Sequence, residues 1–109
     1  NHITFSFERL NFISDVSSRN VRGNYALKSC YRIIFLLAGT VKILTDNGDT
    51  RKIWKLEVKG SGLVVDPMVW TSMFKFSQDA LIGIVSSIKY NHEDYIRSYE
   101  EFLRTFSSE

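Results

Sequence analysis

An all-β sandwich or barrel closed by one C-terminal α-helix is the fold class this sequence predicts. Apolar residues recur at every second position up to about residue 88, turn-forming clusters separate short runs, and apolar spacing shifts to three and four only near the end. A chain of 109 residues makes one domain, so separate cofactor and substrate lobes are excluded. With 44% hydrophobic and 14% aromatic residues, it carries enough large side chains for one compact core.

The elements follow in order. Ile3, Phe5 and Phe7 alternate with Thr4, Ser6 and Glu8, a half-buried strand running to about Ile13. Ser14 to Arg22 is polar and rich in turn formers. Asn24 to Lys28 forms the next strand, and Tyr31 to Leu37, apolar at both parities from Ile33, predicts a strand covered on both faces. Asp46-Asn47-Gly48-Asp49 is the clearest turn; Asn-Gly suits a type I′ hairpin joining Thr40–Thr45 to Thr50–Val58. Gly60-Ser61-Gly62 is a short loop, and Asp66-Pro67 ends the strand Leu63–Val65. Strands over Trp70–Phe76 and Ala80–Ser87 flank the turn Ser77-Gln78-Asp79. Tyr95, Ile96, Tyr99, Phe102, Leu103 and Phe106 then follow helical spacing, predicting a helix over about 92–106 with Asn91 as its cap.

Composition narrows the function. The 14 basic and 12 acidic residues give a net charge of +2 without a basic stripe, so no nucleic-acid partner is expected. No apolar run approaches the ~20 residues of a membrane span. Cys30 is the sole cysteine, which fits a reducing compartment and a cytoplasmic location. His2 and His92 are the only histidines, without ligand spacing or a carboxylate cluster, so neither a metal nor any other cofactor is expected.

Ile3-Thr4-Phe5-Ser6-Phe7-Glu8-Arg9, Val21-Arg22-Gly23-Asn24-Tyr25-Ala26-Leu27-Lys28, Val65-Asp66-Pro67-Met68-Val69-Trp70 and Asp94-Tyr95-Ile96-Arg97-Ser98-Tyr99 resemble the WxcM-like sugar 3,4-ketoisomerases of the cupin superfamily. The resemblance covers nearly the whole chain. It implies a single cupin jelly-roll domain over 1–109, lacking the family's N-terminal strand or strands, in keeping with Asn1 as first residue. It also implies a homodimer and a ligand that is a nucleotide-linked sugar, a dTDP- or UDP-hexose, in bacterial deoxysugar and surface-polysaccharide synthesis.

The family's catalytic histidine positions fall here on Tyr25, Leu27 and Thr71. Moving a carbonyl between C4 and C3 needs a base and an acid working near neutrality. The reference pKa is about 10 for a tyrosine such as Tyr25 and about 10.4 for a lysine such as Lys28, so both are weak candidates for that role. If residue 25 faces inward, as the resemblance implies, strand parity places Tyr25, Leu27, Ser29, Tyr31, Ile33 and Phe35 on one inward face. These residues either fill the old cavity or leave Tyr25 and Tyr31 as hydrogen-bonding walls of a sugar pocket. Arg22 and Lys28 are either diphosphate contacts or solvated cations. Trp70 either stacks on the ligand or belongs to the core, and Tyr95 and Tyr99 either dock the helix or meet a second copy. Three functions remain open: a nucleotide-sugar binder with lost or altered catalysis, an active isomerase or epimerase using non-histidine groups, and a structural partner of an active paralogue.

Overall fold

The computed structural model describes residues 6–107. Among these residues, nine strands build two antiparallel sheets. The first holds β1 (Arg9–Ser14), β8 (Leu81–Ser86), β3 (Arg32–Ala38) and β6 (Gly62–Val65), in that spatial order. The second holds β5 (Arg51–Leu56), β4 (Val41–Asp46), β7 (Trp70–Phe74), β2 (Arg22–Leu27) and β9 (Tyr95–Ile96). The alternation at Ile3 and Phe5, like His2, lies outside the described residues.

Alternation sets which residues meet between the sheets. Ile34 and Leu36 of β3, Ile82 and Ile84 of β8, Val41 and Ile43 of β4 and Met73 of β7 are buried together, with Val65 and Phe76 completing the core. Each such side chain contributes about 1.5–3 kcal/mol by leaving water. Gly39 stands at the bend between β3 and β4 with φ +73°, where a Cβ would meet the Ala80 backbone nitrogen at 2.8 Å.

The outer faces differ. On the five-stranded sheet, Trp70, Ala26 and Ile96 are covered by Phe102 of the helix α1 (Tyr99–Arg104). On the four-stranded sheet, the register aligns Leu10, Val85, Ile33 and Val64 in one row and Phe12, Gly83, Phe35 and Gly62 in the next. These rows end in exposed apolar residues: Leu10 is 54%, Phe12 58% and Val64 60% exposed.

The strand expected to include Phe7 is corrected: among the described residues it begins only at Arg9, Phe7 is 53% exposed, and within β1 the odd-numbered residues face inward. Two further expectations are corrected. The helix does not run over 92–106: Asn91 caps only a single 3-10 turn (His92–Asp94), Tyr95 and Ile96 pair with Leu27 and Ala26, and α1 begins after Ser98, whose Oγ accepts from Glu101 N. Strand pairing along β2 satisfies the backbone of 95–96 and overrides the local 3–4 spacing. The Asp46–Asp49 turn is not type I′ either. Of Asn47 and Gly48 only Gly48 has positive φ, at 92°, and the Asn47 and Asp46 side chains close the loop by accepting from Thr50 N and Gly48 N.

Candidate functional site

A cavity opens between the sheets at the end where β1, β2, β3 and β8 meet the 88–95 segment. Its lining includes Arg9, Asn11, Tyr25, Leu27, Cys30, Arg32, Ser86, Lys89, Tyr90, Asp94 and Tyr95. The interior is small, about 10 Å³ for the centre of a water-sized sphere, on the order of one water.

Three tyrosines form much of the wall. Tyr95 stands at the centre, with Tyr25 at 4.8 Å and Tyr90 at 5.3 Å between ring centroids. Tyr95 reaches the cavity because β9 pairs Leu27 with Tyr95, which puts both on the inner face. Arg9 donates to Tyr95 Oη at 3.2 Å and lies over the Tyr90 ring at 5.2 Å. Arg97 covers Tyr95 at 4.3 Å.

Among the described residues, Asp94 is the sole acidic one lining the cavity, and it is committed to structure. Its carboxylate accepts from Ser29 N and Ser29 Oγ, the latter at 2.7 Å, and its carbonyl accepts from Lys28 N. The 3-10 turn thereby holds the corner between β2 and β3. That corner, Lys28 to Tyr31, switches the facing of the chain. Tyr25 and Leu27 line the cavity from β2, but on β3 the even residues Arg32, Ile34 and Leu36 face inward. Tyr31 is 43% exposed, and Ile33 and Phe35 lie on the outer face, so the expected single inward face over 25–35 is corrected.

Arg32 is the innermost charged group, 1% exposed. Its Nη1 donates to Thr71 Oγ1 at 3.2 Å and its Nη2 to the Val69 carbonyl at 3.3 Å, with the Tyr25 ring 5.2 Å from the guanidinium carbon. Burial pushes its pKa below the ordinary arginine value, partly offset by Tyr25, Cys30 and Tyr95. The Thr71 hydroxyl donates in turn to the Gly23 carbonyl at 3.1 Å, so that position serves as a prop for Arg32.

Of the residues singled out in the sequence, Tyr25 and Leu27 line the cavity. Arg22 is exposed at the start of β2, Lys28 is exposed at the corner, and neither lines it. Trp70 is 6% exposed and packs against Tyr99 and Phe102 on the opposite face of its sheet. Tyr99 docks α1: its hydroxyl bonds the buried Asp46, and Arg51 Nη2 donates to that hydroxyl at 2.8 Å. Sequence reasoning missed Arg9, Arg32, Lys89 and Tyr90. Arg32 did carry a signal, since it falls in phase with Ile34 and Leu36 in an apolar strand.

Comparison with known proteins now bears on this geometry. The family model described as FdtA, "WxcM-like, C-terminal", matches residues 1–107. The chain belongs to the FdtA/WxcM-like family. A relative from Aneurinibacillus thermoaerophilus, TDP-4-oxo-6-deoxy-alpha-D-glucose-3,4-oxoisomerase, is 33% identical over 103 residues, covering 94% of this chain and 74% of its own. Among solved structures, a 3,4-ketoisomerase from Helicobacter canadensis matches with TM-score 0.93 at 30% identity, covering 97% of this chain and 80% of that one. The sugar 3,4-ketoisomerase QdtA from Thermoanaerobacterium thermosaccharolyticum, solved in complex with TDP, matches with TM-score 0.90 at 31% identity, covering 94% and 75%. The two sheets are thus the sandwich of a WxcM-like cupin, and the relatives are sugar 3,4-ketoisomerases of nucleotide-sugar biosynthesis. No helix among the described residues of this WxcM-like chain is long and apolar enough to cross a membrane.

Proposed function

We propose that this chain binds a nucleotide-linked sugar, a dTDP- or UDP-hexose, at the mouth of the cavity between its sheets, with the family's isomerase chemistry lost or altered, in cytoplasmic deoxysugar and surface-polysaccharide synthesis. The observation that carries this reading is the lining. It pairs tyrosines with cations, and among the described residues it holds no histidine. The phenols of Tyr25 and Tyr95 suit sugar hydroxyls, because a phenol both donates and accepts. Arg9 and Lys89, both in the lining, would meet a diphosphate, and the Tyr90 ring would meet a base.

Proton transfer is the weak point. Of the weak candidates for that role, Tyr25 is the one on the cavity wall. The reading is tested by titration calorimetry with dTDP- and UDP-linked hexoses, together with solvent deuterium exchange at C3 of a 4-keto nucleotide sugar. Saturable binding without exchange supports it. No heat at millimolar ligand removes the binding claim, and exchange that disappears in Tyr25→Phe replaces it with an active isomerase.

The outer face of the four-stranded sheet supports a homodimer. Two aligned rows of apolar side chains, several of them more than half exposed, form a contiguous patch of the kind that soluble domains cover with a second copy.

A further inference from the structure

Arg32 has an unfilled demand. Its Nε is the one buried side-chain nitrogen or oxygen without a hydrogen-bond partner among the described residues. None of its bonded partners, Thr71 Oγ1, the Val69 carbonyl and the Tyr25 hydroxyl, is a carboxylate. Both ion pairs found among those residues lie elsewhere, Arg51 with Asp46 and Lys55 with Glu57. A buried guanidinium with neither a counter-ion nor full hydrogen bonding is costly, so an anion that supplies both is favoured there.

The surroundings point to an anion as well. Arg9 and Lys89 join Arg32 in the lining, and the one acidic group present, Asp94, already accepts from Ser29. Nε shares an edge of the planar guanidinium with Nη2, and that edge engages a carboxylate through two parallel bonds. The interior, on the order of one water, leaves most of any ligand at the open mouth, and a planar carboxylate is a smaller group to bury there than a tetrahedral phosphate.

We propose that Arg32 makes this cavity a carboxylate site, so that the sugar of the nucleotide-linked ligand is a hexuronic acid whose carboxylate is the buried end. The claim deepens the sugar-binding reading but stands apart from the nucleotide, and bare probes let the two fail separately.

The test follows the urea midpoint of the full chain in acetate, chloride and phosphate at matched ionic strength, and with D-glucuronate against D-glucose. The ¹⁵N–¹H resonance of Arg32 Nε is recorded in parallel. Acetate and glucuronate are expected to raise the midpoint saturably and to shift the Nε resonance, with phosphate weaker and glucose inert. Arg32→Gln should weaken acetate binding at least tenfold, while in chloride it unfolds at an equal or higher midpoint because the buried charge is gone. Arg32→Lys keeps the charge but not the fork, and should bind acetate more weakly than the parent. Equal effects of acetate and chloride, an undiminished acetate effect in Arg32→Gln, phosphate stronger than acetate, or glucose matching glucuronate overturns the proposal. Should neither variant fold, an unmoved Nε resonance in the parent chain overturns it alone.

Discussion

Replacing Phe102 by alanine tests whether the short C-terminal helix holds the wall of the cavity. Phe102 is 0% exposed, and its ring lies 5.8 Å from Trp70, 5.9 Å from Tyr99 and 5.0 Å from Phe106 between centroids. Truncating a ring in such a place costs about 3–5 kcal/mol through lost transfer energy and an unfilled void. That is a large share of the roughly 5–15 kcal/mol that stabilise a domain. The assay is urea unfolding followed by tryptophan emission in a Trp54→Phe background, where the signal comes from Trp70 beside the deletion. The midpoint should fall by at least about 1 M with an unchanged slope. Leu103→Ala, at a residue 42% exposed, should cost less than about 1 kcal/mol and serves as the control. A loss below about 1 kcal/mol for Phe102→Ala would refute the reasoning that α1 is packed as a clamp over Trp70 and β9.

Other expectations concern pH, backbone and assembly. Burial raises the Asp46 carboxyl, but the Tyr99 hydroxyl, Gly48 N–H and Arg51 outweigh it and hold its pKa below the ordinary carboxylate value. A depressed folded pKa gives stability that is present above the unfolded value, about 3.9, and is lost as pH falls through the folded one. Unfolding curves of the parent and Asp46→Asn should therefore converge on acidification from pH 7, and a constant gap would contradict the assignment. Gly39→Ala adds a Cβ where φ is +73° and the Ala80 Cα would lie 2.7 Å away, so a loss above about 1 kcal/mol is expected in the same assay. Leu10→Lys with Phe12→Lys places charges on the apolar sheet face; sedimentation velocity should show a homodimer becoming a monomer, and an unchanged sedimentation coefficient would place the interface elsewhere.

Much of the sandwich was legible because period-two alternation directly reports which face of a strand is covered. The core strands carry it plainly: Ile34 and Leu36, Val41 and Ile43, Ile82 and Ile84. The 95–96 strand was not legible, since Tyr95, Ile96, Tyr99 and Phe102 satisfy helical spacing and only long-range pairing with β2 distinguishes the two states. Within the site, Tyr25 and Leu27 could be placed from the resemblance to the family's motif, whereas extending strand parity from them misplaced Tyr31. Its facing depends on how many residues the corner spends turning, and sequence periodicity carries no record of that. Arg32 was hidden by its type, because a charged residue at the head of an apolar run reads as a boundary. Arg9, Lys89 and Tyr90 come together only when β1 lies beside β8, a juxtaposition fixed by topology.

The corner from Lys28 to Tyr31 acts as a phase setter for the whole interior. Insertion or deletion of a single residue there would rotate β3 by one step, sending the guanidinium of Arg32 to solvent and bringing Ile33 and Phe35 beneath the tyrosines. Length changes at this point must therefore come in pairs if the charged floor is to survive. One odd-numbered indel would turn a polar chamber into a greasy plug while leaving every other strand in place.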